Sequence, residues 1–194
     1  MRTTTCLTKE LNLMGNESLA PVSGRQVELL GEFSVTTGTC GFRFLKSGDK
    51  QASLTYDADR QTLTLDLTSL SRQSNDGAPY GGVYTINMTE KLTKLHVFVD
   101  GSIADIFVND RWAYSVRIFS TDAAQVETEV FATASTPAKV SAWVLVPSIA
   151  NSIYETRMGL SANDDAIYDL SGRKLCHTPK SGTYIKNGKK YAAH

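Results

Sequence analysis

The sequence predicts an all-β chain: a two-sheet antiparallel β-sandwich of the jelly-roll or concanavalin-like kind, followed by a small C-terminal β-hairpin tail. Three observations carry this. Short β-prone runs recur at a spacing of about ten residues with turn residues between them, as sandwiches require. The stretch Leu95 to Phe119, LHVFVDGSIADIFVNDRWAYSVRIF, alternates apolar and polar residues across two tight turns and reads as three antiparallel strands. Composition then shifts after Asn163, where Asn187-Gly188 between two β-prone runs is the strongest local hairpin signal in the chain.

In chain order, Glu10 to Leu13 and Ser18 to Val22 read as a short hairpin around Gly15-Asn16, and Gly24 to Leu30 as a helical turn. Four strands follow at Glu32 to Thr36, Gly41 to Lys46, Gln51 to Tyr56 and Gln61 to Leu67, divided by Thr37-Gly38, Ser47-Gly48-Asp49 and Asp57 to Arg60. Ser69 to Gly82 is polar and glycine-bearing, a long surface loop, and Val83 to Met88 resumes the sheet. Gln125 to Thr133 and Lys139 to Val146 close the sandwich as two separate strands. The expected boundaries are a sandwich over 1–146, a linker over 147–163 and a hairpin tail over 164–194.

Register within Leu95 to Phe119 follows from burial, because a slip of one residue moves every side chain to the other face. A two-residue loop of Asp100-Gly101 places Leu95, Val97 and Val99 on one face with Ala104, Ile106 and Val108, and sets His96 opposite Asp105. A three-residue loop of Asp110, Arg111 and Trp112 adds Tyr114, Val116 and Ile118 to that face and sets Arg117 opposite Asp105. A two-residue second loop would place Arg117 among the valines, and burying an unpaired guanidinium there costs several kcal/mol. The second face is then mixed, with His96, Asp105 and Arg117 beside Phe98, Ile103, Phe107 and Phe119.

Twenty basic and twenty acidic residues cancel across the 194 residues, so no long-range field favours nucleic acid or an anionic membrane. No run approaches the roughly twenty apolar residues of a membrane span. The three cysteines, Cys6, Cys40 and Cys176, are scattered, odd in number and without C-x-x-C spacing, which predicts free thiols and neither a metal site nor a disulfide framework. No cofactor motif is present.

The run VDGSIADIFVND followed by RIFS resembles the signature of the C-terminal β-sandwich of glycoside hydrolase family 32, the invertases, levanases, inulinases and other β-fructosidases. There the pattern is roughly V-D-x-S-x-(V/I)-E-(V/I)-F, a short turn, then R-(I/V)-(F/Y)-P. Asp100, Ser102, Ile106, Phe107, Arg117, Ile118 and Phe119 match it; Asp105 replaces the usual Glu and Ser120 the usual Pro. LTKELNL and APV, between Leu7 and Leu30, resemble the segment that leads into that sandwich. The resemblance implies an N-terminal five-bladed propeller as partner, carrying catalytic carboxylates in motifs reading approximately N-D-P-N-G, R-D-P and E-C. None of these occurs here: Asn75-Asp76, Asn109-Asp110 and Asn163-Asp164 begin the first motif without continuing it. A retaining glycosidase needs two carboxyl groups about 5 Å apart, and no such pair can be nominated. The expectation is a non-catalytic accessory module of a β-fructosidase-like hydrolase, inactive alone, with no catalytic residue, no metal and no cofactor. The alternative is a free-standing lectin-like carbohydrate-binding module.

His96, Asp105 and Arg117 read as a structural charge cluster, since a carboxylate beside His lacks any accompanying nucleophile here. Trp112 in the turn and Tyr80 in the long loop are the candidates for ligand contact, a fructan or other carbohydrate. The tail, AIYDLSGRKL and GTYIKNGKKY, resembles C-terminal sorting tails of secreted Bacteroidetes proteins, which implies an extracytoplasmic location as part of a longer precursor.

Overall fold

The computed structural model describes residues 2–71, 81–146, 167–170, 174–175, 177–179, 181–186 and 189–193. They contain strands and turns without a helix. Two compact units are formed, Met1–Val146 and Pro147–His194.

In the first unit the strands are β1 (Arg2–Ser18), β2 (Gln26–Phe33), β3 (Thr39–Ser47), β4 (Lys50–Asp57), β5 (Thr62–Asp66), β6 (Val83–Asn87), β7 (Lys94–Asp100), β8 (Ile103–Val108), β9 (Trp112–Arg117) and β10 (Glu127–Leu145). They hydrogen-bond in the order β6-β5-β4-β3-β10-β2-β7-β8-β9, with β1 on β10. The long strand β10 makes this path into a sandwich. Its first part, Glu127 to Ala132, pairs with β3, and its later part, Ala138 to Val144, pairs with β2. β1 follows β10 through both parts, with a register shift between Leu13 and Gly15. One layer is therefore β6-β5-β4-β3 with the first part of β10, and the other is β9-β8-β7-β2 with the second part.

The core lies between the layers and follows the period-two pattern of β4, β5, β7 and β8. β4 alternates from Ala52 through Leu54 to Tyr56, and β7 from Leu95 through Val97 to Val99, all buried. Phe33 of β2 meets Phe42 of β3 edge-on across the interior, ring centroids 5.9 Å apart. Burial of each of the larger aliphatic or phenylalanine side chains contributes about 1.5–3 kcal/mol. Gly31 makes the room: a Cβ there would stand 2.4 Å from the Phe33 ring and 2.9 Å from that of Phe42.

Four expectations are corrected. Gly15-Asn16 is not a hairpin: Gly15, at φ 86°, bends a strand that runs on to Ser18. Gly24 to Leu30 is not helical, because the residues from Gln26 form β2, held between β7 and β10. The expected strand over Glu32 to Thr36 is reduced to the end of that same β2. The two closing strands are one, since Pro137, with no N–H to give, still uses its carbonyl, which accepts Ser34 N at 2.9 Å.

The second unit carries β11 (Ile167–Tyr168), β12 (Lys174–Leu175), β13 (Gly182–Lys186) and β14 (Lys189–Ala193). β13 and β14 pair antiparallel with Lys186 opposite Lys189, and Tyr184 stacks on Tyr191 at 5.4 Å. The expected hairpin is thus half of a four-stranded sheet ordered β12-β11-β13-β14. The expected linker, Tyr80, Cys176 and Asn187-Gly188 fall outside the described residues.

Candidate functional site

The apolar and mixed faces of Leu95 to Phe119 are those the alternation predicts; on edge strand β9, Tyr114 stands opposite Ile106 on the apolar face but is partly exposed. Leu95, Val97, Val99, Ala104, Ile106, Val108 and Ile118 are in the core. The cross-strand partners, however, lie two residues from expectation. The first loop is Gly101-Ser102, and Asp100 remains in the strand opposite Ile103. Gly101 has φ 62° at the first loop position, the sign that a type II′ turn needs, while Asp100 accepts from Gln26 Nε2 at 2.9 Å. The second loop is Asn109, Asp110 and Arg111, with Trp112 already paired to Val108. Asn109 and Asp110 have φ of 52° and 55°, and Arg111 N donates to Val108 O at 3.0 Å.

His96, Asp105 and Arg117 are therefore not cross-strand partners of one another. His96 faces Phe107, Asp105 faces Phe98 and Ser115, and Arg117 faces Ile103. Asp105 accepts a hydrogen bond from Ser115 Oγ. The carboxylate beside His96 is instead Glu28 of β2, whose Oε1 lies 2.8 Å from His96 Nε2. Glu28 is only 2% exposed although it sits on the outer side of its sheet. Its row runs Trp143, Glu28, Phe98, Asp105 and Ser115 across β10, β2, β7, β8 and β9, so Phe98 stands between the two carboxylates of that row. The sequence concealed Glu28 because QVELL fits a helical period as well as an alternating one.

The neighbouring row is Ser141, Leu30, His96, Phe107 and Ala113. His96 packs on Phe98 with ring centroids 4.5 Å apart, and Phe98 meets Phe107 edge-on at 6.0 Å. Where these rows reach the second turn, they floor a cavity of about 420 Å³ whose rim is formed by Asp110 to Ala113. Asn109 builds that rim. Its Oδ1 accepts from Thr93 N and Lys94 N at 2.9 and 3.0 Å, and its Nδ2 donates to Glu90 Oε1 at 3.1 Å and Lys91 O at 2.9 Å. Arg111 pairs with Glu90 at 3.2 Å and lies 5.2 Å above the Trp112 ring; Asp110 pairs with Lys94 at 2.8 Å. Of the two residues expected to contact ligand, Trp112 is thus on this cavity, partly buried against the core.

The outer face of the other layer differs in kind. It presents hydroxyls, with Thr64 bonded to Thr85 at 2.9 Å and Ser53 to Thr55 at 3.2 Å. The position where the family signature has Pro is held by Ser120, whose hydroxyl bonds buried Gln125; Gln125 Nε2 donates to Leu45 O at 3.1 Å and its Oε1 accepts Ser71 N at 3.1 Å. Among the described residues no group of three or more His, Cys, Asp or Glu could hold a metal ion. Cys6 and Cys40 are free thiols, and burial pushes the Cys40 thiol up to about 12.

Comparison with known proteins matches this arrangement. No curated protein matches the chain. Among solved structures, exo-inulinase from Aspergillus awamori superposes with a TM-score of 0.61 at 20% identity, over 72% of this chain and 29% of that one. The β-fructofuranosidase of Aspergillus kawachii gives 0.59 at 19%, over 71% and 27%, and sucrose-6-phosphate hydrolase from Lactobacillus gasseri gives 0.56 at 22%, over 75% and 28%. At these identities the likeness is one of fold, and the chain spans less than a third of those chains. The sequence profile described as "Glycosyl hydrolases family 32 C terminal" matches residues 1–144, the whole of the sandwich from β1 to the end of β10, and on that match the chain belongs to the glycosyl hydrolase family 32 C-terminal family.

Proposed function

We propose that this sandwich is a non-catalytic accessory module that braces an N-terminal propeller, the propeller hydrolysing fructosyl bonds of sucrose or fructans. The observation that carries this is the family match over residues 1–144, on a chain that spans 29% of the length of an exo-inulinase of the same fold. The chemistry of the outer face supports it. A retaining glycosidase needs paired carboxyl groups about 5–5.5 Å apart. Glu28 is instead buried against His96, and Asp105 is occupied by Ser115 beyond the intervening Phe98. The resemblance of the tail to Bacteroidetes sorting tails favours an extracytoplasmic location for the longer polypeptide, which cell fractionation would test.

The functional test compares the purified chain with the longer polypeptide encoded at its locus. The chain alone should release no fructose from sucrose, inulin or levan. The longer polypeptide should release it, and should melt at a lower temperature once the sandwich is deleted. Fructose release by the chain alone, abolished by one Asp or Glu substitution within it, would overturn the reading, as would a locus that encodes no propeller.

A further inference from the structure

We infer that the cavity at the β7-β8-β9 end of the outer face is a binding site for a neutral saccharide. This goes beyond the bracing role and does not require a propeller. Its volume, about 420 Å³, falls within the range of about 300–1,000 Å³ usual for small-molecule sites.

The first argument is the placement of His96. Its Nε2 is held 2.8 Å from a carboxylate that is itself 98% buried, Glu28. A carboxylate accepts, so Nε2 donates to it, and the other ring nitrogen, Nδ1, is left for another partner. Among the described residues no group bonds Nδ1, although His96 lines the cavity. A buried acid that holds one nitrogen of a histidine lining a cavity leaves the other for a ligand hydroxyl, which can donate or accept.

The second argument is charge. The ions at the rim are already matched, Arg111 by Glu90 and Asp110 by Lys94. An ionic ligand would find no surplus charge, whereas the hydroxyls of a sugar can donate to a carboxylate and accept from a guanidinium without breaking either pair. The third is shape. Phe107, 37% exposed and fixed edge-on by Phe98, offers an apolar surface for the C–H face of a sugar ring beside those polar groups. Among the described residues the opposite layer presents hydroxyls on its outer face, such as those of Thr64 and Thr85, and no aromatic floor of this kind.

The test uses the full chain and isothermal titration with sucrose, inulin and levan oligosaccharides, and xylan and glucan oligosaccharides. The expected result is saturable binding of at least one class, weakened about tenfold or more by Phe107→Ala and by Arg111→Ala, each a factor that corresponds to about 1.4 kcal/mol. Both side chains are partly exposed, so both variants should fold, with unchanged circular dichroism as the check. Phe107→Trp should retain binding, as should Ile103→Ala on the same face outside the cavity. With Trp143→Phe, Trp112 is the remaining tryptophan of the two in the sequence, and its fluorescence should report the titration. Absence of saturable binding to every probe, or binding unchanged in both weakening variants, would overturn the assignment. A lack of fructose release would leave it standing.

Discussion

Glu28 and His96 are hydrogen-bonded across β2 and β7, 2.8 Å from Oε1 to Nε2, with the carboxylate side chain 3% exposed and the imidazole 21%. Removing one partner of such a pair leaves a buried polar group short of a bond, which costs more than the bond contributes. His96→Ala should therefore destabilise the sandwich by about 2–3 kcal/mol, and Glu28→Gln by less, since glutamine still accepts from Nε2. The double variant should recover part of the loss. Urea unfolding of all four proteins gives the coupling energy, and strictly additive effects would show that the two side chains do not act together.

Gly41 sits where β3 passes β4, and a Cβ there would stand 1.9 Å from Leu54 O. That atom is backbone in a paired strand and cannot swing aside. Gly41→Ala should separate β3 from β4 and leave little folded protein at 25 °C. Gly48 is the control: its φ is 56° and nothing lies within 4 Å of its Cβ position, so Gly48→Ala should cost only about 1 kcal/mol. Near-native melting of the Gly41 variant by circular dichroism would contradict this packing.

The expected faces of β7, β8 and β9 held while the expected partners did not, for a physical reason. Apolar alternation determines which side of the sheet a residue takes, and a register shift of two residues leaves that unchanged. The partner is decided by turn conformation, which depends on where a positive φ falls. Asp100-Gly101 and Asp110 to Trp112 are reasonable loops by composition. The actual loops begin one residue later at Gly101 and one earlier at Asn109, where the left-handed residues are. The long strands were illegible for another reason. Gly15 in β1 and Pro137 in β10 carry the marks of turns, yet both strands continue because each is paired along its length with the other. Glu28 was hidden by the same neighbourhood, since a carboxylate becomes a buried partner only when β7 is placed beside β2.

Cys40 gives the fold an alkaline limit. Its thiol has a folded-state value of about 12 against 9.0 when free, because burial disfavours the thiolate. Above the lower value the unfolded chain has released this proton and the folded chain has kept it, so unfolding is favoured as pH rises. Stability from this group is intact below pH 9 and falls by about 1.4 kcal/mol per pH unit between 9 and 12. Cys40→Ala should flatten that slope, at the cost of a small cavity, in denaturant midpoints measured from pH 8 to 11. In the native protein a maleimide should label exposed Cys6 and spare Cys40.

Asp105 and Ile106 are neighbours in β8 whose side chains leave on opposite sides of the sheet, and substituting each tests that alternation directly. Ile106 is 3% exposed, opposite Val97 on one side and Tyr114 on the other, within the apolar layer between the sheets. Ile106→Ala removes methyl groups from a packed interior and should cost about 2–5 kcal/mol, the transfer loss plus that of the cavity left behind. Asp105 is outside, where Ser115 Oγ donates to it. In Asp105→Asn the side-chain oxygen still accepts that bond, so the cost should stay below about 1 kcal/mol. The saccharide affinity should not change, because Asp105 is outside the cavity that His96 and Phe107 line. Chemical denaturation reads the first two quantities and titration the third. A large loss of stability with Asp105→Asn, or a small one with Ile106→Ala, would mean that β8 is turned the other way in its sheet.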